Sequence, residues 1–288
     1  MFCKNIFYWH IVCFVETDSG ICREKLMKKS IWMHALMAAG LLASVPAMAA
    51  TAWTFTGGSN SGSSYGNVRT YSSGGVQVQA TAWANTGGSS NTLIENAYLG
   101  SYSGGLGVGN RDAGNGDPGE GTNPEHAIDN DDRYDSVLLS FSQAVNLTAV
   151  QNGWYSNDSD LSVLAYLGAG TPTIAGGTYA DMVSGGWVNI ASLSNPGTSL
   201  ASTGSSVYSS YWLIGAFNPT FDSGNAGWAN GKDYAKLYAV KGNICTAPGG
   251  ASGGKCGGTP GTGIPEPGSL ALAGLGLLGV IGLRRRRK

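Results

Sequence analysis

Charge is scarce in this chain of 288 residues: Asp, Glu, Lys and Arg together make up 12%, about half the usual ~25%. So low a share excludes a coiled coil or a long solvated helix, both of which are laced with ion pairs. Histidine is nearly missing, with His126 the only one after residue 50, which leaves little for imidazole acid–base chemistry or a His-rich metal site. No nucleophile elbow or His-Glu-x-x-His helix accompanies it, and serine is everywhere and marked nowhere, so the chain reads as not an enzyme. A carboxylate pair acting on glycosides is the enzymatic alternative, because that chemistry is decided by separation in space. No stretch between residues 50 and 242 carries a 3.6-residue apolar stripe, which argues against a helical bundle.

What is abundant fits strands and turns. Glycine is 46 of 288, about twice the usual ~7%, alongside plentiful Ser, Thr, Asn, Trp and Tyr. Val76-Gln77-Val78-Gln79-Ala80-Thr81-Ala82 alternates apolar and polar residues with period two, as a strand buried on one face does. Ser136–Phe141, Val145–Trp154, Leu161–Leu167, Trp187–Ala191, Val207–Phe217 and Tyr234–Val240 are further strands, separated by Gly, Asn, Asp and Pro clusters such as Asn195-Pro196-Gly197. Short strands at this spacing predict an all-β fold, a single antiparallel β-sandwich or jelly roll.

Both ends of the chain read as addresses. Met27-Lys28-Lys29, the apolar Ile31–Val45 and the small-x-small Ala47-Met48-Ala49 compose a secretory signal peptide with cleavage after Ala49. Residues 1–26, with Cys3, Cys13 and Cys22, then precede what should come first and read as a mis-called upstream extension. At the other end stand Pro265-Glu266-Pro267, the uncharged Gly268–Leu283 and the block Arg284, Arg285, Arg286, Arg287 and Lys288. The apolar part reaches about 24 Å as a helix, short of the roughly 30 Å hydrocarbon core. The basic block helps by snorkelling and holds the C-terminus on the cytoplasmic side, while the prolines keep the chain outside extended. The expected division is 27–49 signal peptide, 50–242 β-rich ectodomain, 243–264 Gly/Pro-rich linker with a cysteine pair, and 265–288 C-terminal tail with a short transmembrane helix.

Removing both ends uncovers acidity. Between Ala50 and Pro265 there are seven Lys and Arg against fourteen Asp and Glu, a net charge of −7, which argues against nucleic acid as a partner and suits a divalent cation. Eight of those acids fall within Asp112–Asp135. Asp129, Asp131 and Asp135 share one parity, so in an extended chain they project to one side, where Ca²⁺ is the candidate cofactor. A solvated Gly-rich loop leading into the strand at Ser136 is the preferred reading of this stretch, and the cation site the alternative. Asn157-Asp158-Ser159-Asp160 reads as a turn or as a minor contributor of ligands. Cys245 and Cys256, alone after residue 50 and bound for an oxidising compartment, are expected to pair.

The tail resembles the PEP-CTERM sorting signal: Pro265-Glu266-Pro267, the apolar run and the arginine cluster follow in that order at the extreme C-terminus. The resemblance implies recognition by an exosortase in an exopolysaccharide-producing Gram-negative bacterium, a transient inner-membrane anchor, and then the cell surface or extracellular matrix. The ectodomain also resembles the family of small exosortase-dependent surface proteins. The matching pieces are His126-Ala127-Ile128-Asp129-Asn130, Asp135 with Leu138-Leu139 and Phe141, Gly153-Trp154, Asp158-Ser159-Asp160, Asp233-Tyr234 with Lys236-Leu237, and the cysteine pair. That resemblance implies location and architecture only. The expected function is a non-enzymatic surface or matrix protein. The alternative is an exopolysaccharide-binding module that stacks sugars on Trp83, Trp154, Trp187, Trp212 or Trp228.

Overall fold

A computed structural model describes residues 50–112 and 126–257. The signal peptide with Ala47 and Ala49, the acids Asp117, Glu120 and Glu125, and the whole tail from Pro265 to Lys288 lie outside the described residues. The described part is all-β, with strands β1 (Thr51–Thr54), β2 (Ser59–Asn60), β3 (Arg69–Ser73), β4 (Val76–Gly87), β5 (Leu93–Tyr102), β6 (Gly105–Gly109), β7 (Ile128–Asp129), β8 (Asp135–Asn157), β9 (Leu161–Tyr166), β10 (Trp187–Leu193), β11 (Leu200–Ser202), β12 (Ser209–Ala216) and β13 (Asp233–Ile244), then the small hairpin β14 (Ala251–Ser252) and β15 (Lys255–Cys256).

β1 to β13 belong to one antiparallel sheet in which β8 pairs with β13, β13 with β6, β6 with β5, β5 with β4, and β4 again with β8. That ring closes the sheet in a barrel-like way, where two separate sandwich layers were expected. The reason is the length of β8. Its first part, Asp135–Phe141, lies between β4 and β12, and its second part, Val145–Asn157, pairs with β13 and β11. One strand therefore belongs to both walls, while β1, β2, β7, β10 and β11, each paired with a single strand, remain as edges.

The core follows from side-chain parity. β4 alternates strictly, with Val76, Val78, Ala80, Ala82 and Ala84 inward. Across the sheet Ala80, Leu139, Trp212 and Ala165 stand side by side, so the indole fills space that two alanines leave. Its Nε1 donates to the carbonyls of Val145 and Ser209 at 3.1 and 3.0 Å, satisfying the one polar atom it buries. The opposite face of β8 is buried too: Leu138, Leu213 and Leu164 form a row beneath Tyr179 and Met182.

Those two residues sit on a helix the sequence pattern did not show, α1 (Tyr179–Ser184). Fewer than two turns cannot display a 3.6-residue stripe; its signal is the capping box. Thr178 Oγ1 accepts from Asp181 N at 3.2 Å, and the Asp181 carboxylate accepts from Thr178 N at 2.8 Å. Gly185 and Gly186 end it, the latter at φ +99°.

At the C-terminal end of the body, Cys245 and Cys256 are joined by a disulfide. It closes a hairpin that docks through the hydrogen bond from Tyr208 N to Gly254 O, 2.8 Å.

Two measurements check this packing. Trp212→Ala is expected to cost about 3–5 kcal/mol in urea unfolding, whereas Leu200→Ala, at a side chain 43% exposed, should stay within about 0.5 kcal/mol; equal costs would refute the core described. Protein recovered from the periplasm should carry no alkylatable thiol at Cys245 or Cys256. Reduction should lower stability by roughly 3 kcal/mol for so short a loop.

Candidate functional site

The end of β8, the start of β9 and the start of β13 meet at one point, and each brings an aspartate. Asn157 adopts φ +57° and turns the chain out of β8. Asp158 then bridges to Asp233, donating its N–H to Lys232 O and accepting from Tyr234 N, both at 3.1 Å. Two residues on, Asp160 immediately precedes β9. Carboxylate oxygens of Asp158, Asp160 and Asp233 all lie within 4.8 Å of one another, with Asp160 and Asp233 buried.

Neutral donors hold the cluster. Asp233 accepts from Asp160 N at 2.8 Å and from Asn130 Nδ2 at 2.6 Å, while Asn130 Oδ1 accepts from Asp233 N at 3.1 Å, so one amide grips both the side chain and the backbone of Asp233. Asp160 accepts from Asn195 N at 2.6 Å, and Asp158 from Ser159 N at 2.8 Å. Ser159 Oγ donates to Asn195 Oδ1 at 3.2 Å and fastens the 195 turn over the site.

Hydrogen bonds of this kind favour ionised carboxylates, yet burial and mutual repulsion oppose them. Burial, with the charges of Asp160 and Asp158 added, pushes the Asp233 carboxyl up to about 7 against the two hydrogen bonds it accepts. Burial also raises Asp160, against its bond from Asn195 and with help from the charge of Asp158. Three carboxylates this close have two physical resolutions: they retain a proton, or they share a hard cation that takes oxygen ligands. Among the described residues, Asp158, Asp160 and Asp233 are the ones placed to hold such an ion.

The structure does not bring Asp129, Asp131 and Asp135 together, and this corrects the expectation drawn from their parity. Extension ends at Asp129: Arg133 N bonds back to Asp131 O at 2.7 Å and Asp132 has φ +59°, so alternation fails across the bend. Each carboxylate takes its own partner instead. Asp129 accepts from Asp131 N at 3.2 Å, Asp131 from Tyr234 Oη at 2.7 Å and Asp135 from Asn110 Nδ2 at 3.4 Å. The chain at 157–160, read as a turn or a minor contributor, supplies two of the three clustered acids. Asp233 carries no local signal as their partner, since only the register of β13 on β8 joins them.

The five tryptophans do not form one platform. Trp212 and Trp187 are core, Trp83 packs against the leucine row beneath Tyr179 and Met182, Trp228 leans on Phe217 at 5.3 Å, and the Trp154 ring lies 4.8 Å from Lys236 Nζ. His126 stacks on Tyr102 at 5.9 Å.

Fold and sequence together define a class: an all-β domain followed by a C-terminal sorting signal. The family model of the PEP-CTERM protein-sorting motif matches residues 263–287, so the chain ends in that motif. The motif implies export, a membrane-anchored stage, processing by an exosortase and sorting to the cell surface. Among the described residues no helix is long and apolar enough to cross a membrane. No curated protein and no solved structure matches the chain.

The raised carboxyls fix the sign of a pH response. An unfolded aspartate titrates near ~3.9, whereas folded Asp233 keeps its proton to about 7. Between those values the folded state binds more protons than the unfolded one, so this group's stabilisation is complete below about pH 4 and is lost as pH rises through about 7. In EDTA, the melting temperature of wild type relative to Asp233→Asn should therefore fall across that window and level off above it; parallel profiles would overturn the assignment.

Proposed function

We propose that the protein is a non-enzymatic component of the cell surface or extracellular matrix of an exopolysaccharide-producing Gram-negative bacterium, delivered there by an exosortase. The observation that carries this reading is the sorting motif at residues 263–287 behind a closed all-β domain. Asp233 and Tyr179 are buried and held by hydrogen bonds, an arrangement that suits a framework role. A net charge of −7 on the exported part suits a hydrated, cation-containing matrix and repels nucleic acid. The apolar run, with Gly274, Gly276, Gly279 and Gly282, suits a span that pauses translocation until the Pro-Glu-Pro segment is cut, since glycine weakens helices and offers little apolar contact.

Expression with and without an exosortase tests the reading. Intact mass should show loss of the tail from surface-recovered protein only when the enzyme is present, and retention when Pro265, Glu266 and Pro267 are all replaced by alanine. Surface protein still carrying Leu270–Lys288 in exosortase-positive cells would sink it.

A further inference from the structure

A groove of about 390 Å³ runs between the chain after β9, the start of β12 and the disulfide-closed hairpin. Its volume falls in the range of small-molecule sites, ~300–1,000 Å³. Three tyrosines line it, Tyr166, Tyr208 and Tyr211, together with the hydroxyls of Ser210 and Ser252 and a glycine-rich backbone, and no lining side chain is charged.

The groove is built rather than incidental. Tyr166 and Tyr211 meet edge to face at 6.1 Å. Tyr166 Oη donates to Ala169 O at 3.0 Å, and Tyr211 Oη pairs with Thr171 Oγ1 at 3.2 Å, so both rings are anchored at their far ends. Ser209 Oγ ties the strands beneath, donating to Tyr166 O at 2.7 Å. The opposite wall stands close because Gly254, at φ +78°, has no Cβ; one added there would lie 3.2 Å from Val207 and 3.4 Å from Leu167. The Cys245–Cys256 bond holds that wall in place.

These features select a ligand by chemistry. A charged group would enter without a countercharge, which is costly as water is removed. A lipid tail would meet hydroxyls and backbone amides. A sugar ring matches both halves of the lining, with an apolar C–H face for half-buried tyrosine rings and hydroxyls for Ser210, Ser252 and the backbone. We propose that this groove binds an uncharged pyranose unit of a polysaccharide, a specific attachment that goes beyond the framework role proposed above.

The test uses the full chain in a detergent without a sugar headgroup, titrated calorimetrically with cellohexaose, maltohexaose, mannohexaose and polygalacturonate. Saturable binding to at least one neutral oligosaccharide is expected, with none to polygalacturonate. Tyr208→Ala should weaken it about tenfold or more, ~1.4 kcal/mol, Tyr208→Phe should largely preserve it, and Ser210→Trp should block it. Tyr155→Ala, away from the groove, should change nothing. Near-UV circular dichroism confirms that each variant is folded. Absence of saturable binding to all three neutral probes, preference for polygalacturonate, or binding that survives both Tyr208→Ala and Ser210→Trp would overturn the proposal. Binding by purified protein does not depend on sorting in cells, so failure here and failure of the sorting reading are separate results.

Discussion

Strand β8 is the constraint on which the rest of the structure depends. Over 23 residues it hydrogen-bonds to β4, β12, β13 and β11, and every closed path through the ring of strands passes along it. Shared membership has a steric condition: strands entering the ring near β8 must come close. Glycine supplies the room at particular points. A Cβ on Gly105 would strike the backbone of Leu237, one on Gly107 the carbonyl of His126, and one on Gly153 the carbonyl of Gly104. Part of the high glycine content is thus the geometry of closure.

The same strand shows how much of the fold was legible in sequence. Both halves of β8 carry recognisable patterns, yet they read as two separate strands, because Ser142, Gln143 and Ala144 interrupt the apolar alternation between them. They are where the strand leaves one pair of neighbours for another, and a period-two pattern cannot distinguish a change of partners from an end. β4 was plain because only one of its faces is buried. β6, Gly-Leu-Gly-Val-Gly, is buried throughout, so alternation has nothing to report. β5 was obscured because its inward residues serve two clusters: Ile94 packs with the helix-covered face, and Ala97 and Leu99 with the barrel interior.

The carboxylate cluster was less legible for a related reason. Parity along one strand assumes a straight chain, and the bend at 131–133 removes that assumption for Asp129, Asp131 and Asp135. Asp158, Asp160 and Asp233 are brought together by pairing between strands that lie far apart in sequence. The short pieces His126–Asn130, Asp158–Asp160 and Asp233–Lys236, separate in sequence, are drawn to this corner: Asn130 bonds Asp233, Asp233 bonds the Asp160 amide, and Asp158 bridges Asp233. Burying like charges there opposes closure, and the neutral amides of Asn130 and Asn195 offset it only in part, as the raised Asp233 and Asp160 show. The corner is therefore the place where solution conditions act on the fold, because a proton or a hard cation relieves what those amides do not.

The junction between body and tail follows from the same economy of chain. The described structure ends at Gly257, beside Cys256, and Pro265 lies eight residues further on. Fully extended, that many residues reach at most about 29 Å. While the tail is anchored, the disulfide-closed hairpin is therefore confined to the neighbourhood of the membrane face. The Gly-rich hairpin at residues 251–256 buries little apolar surface, and the bond to Cys245 holds it against the body instead. Processing at the motif of residues 263–287 leaves the Cys245–Cys256 bond and the tyrosine groove beside it on the β-rich body.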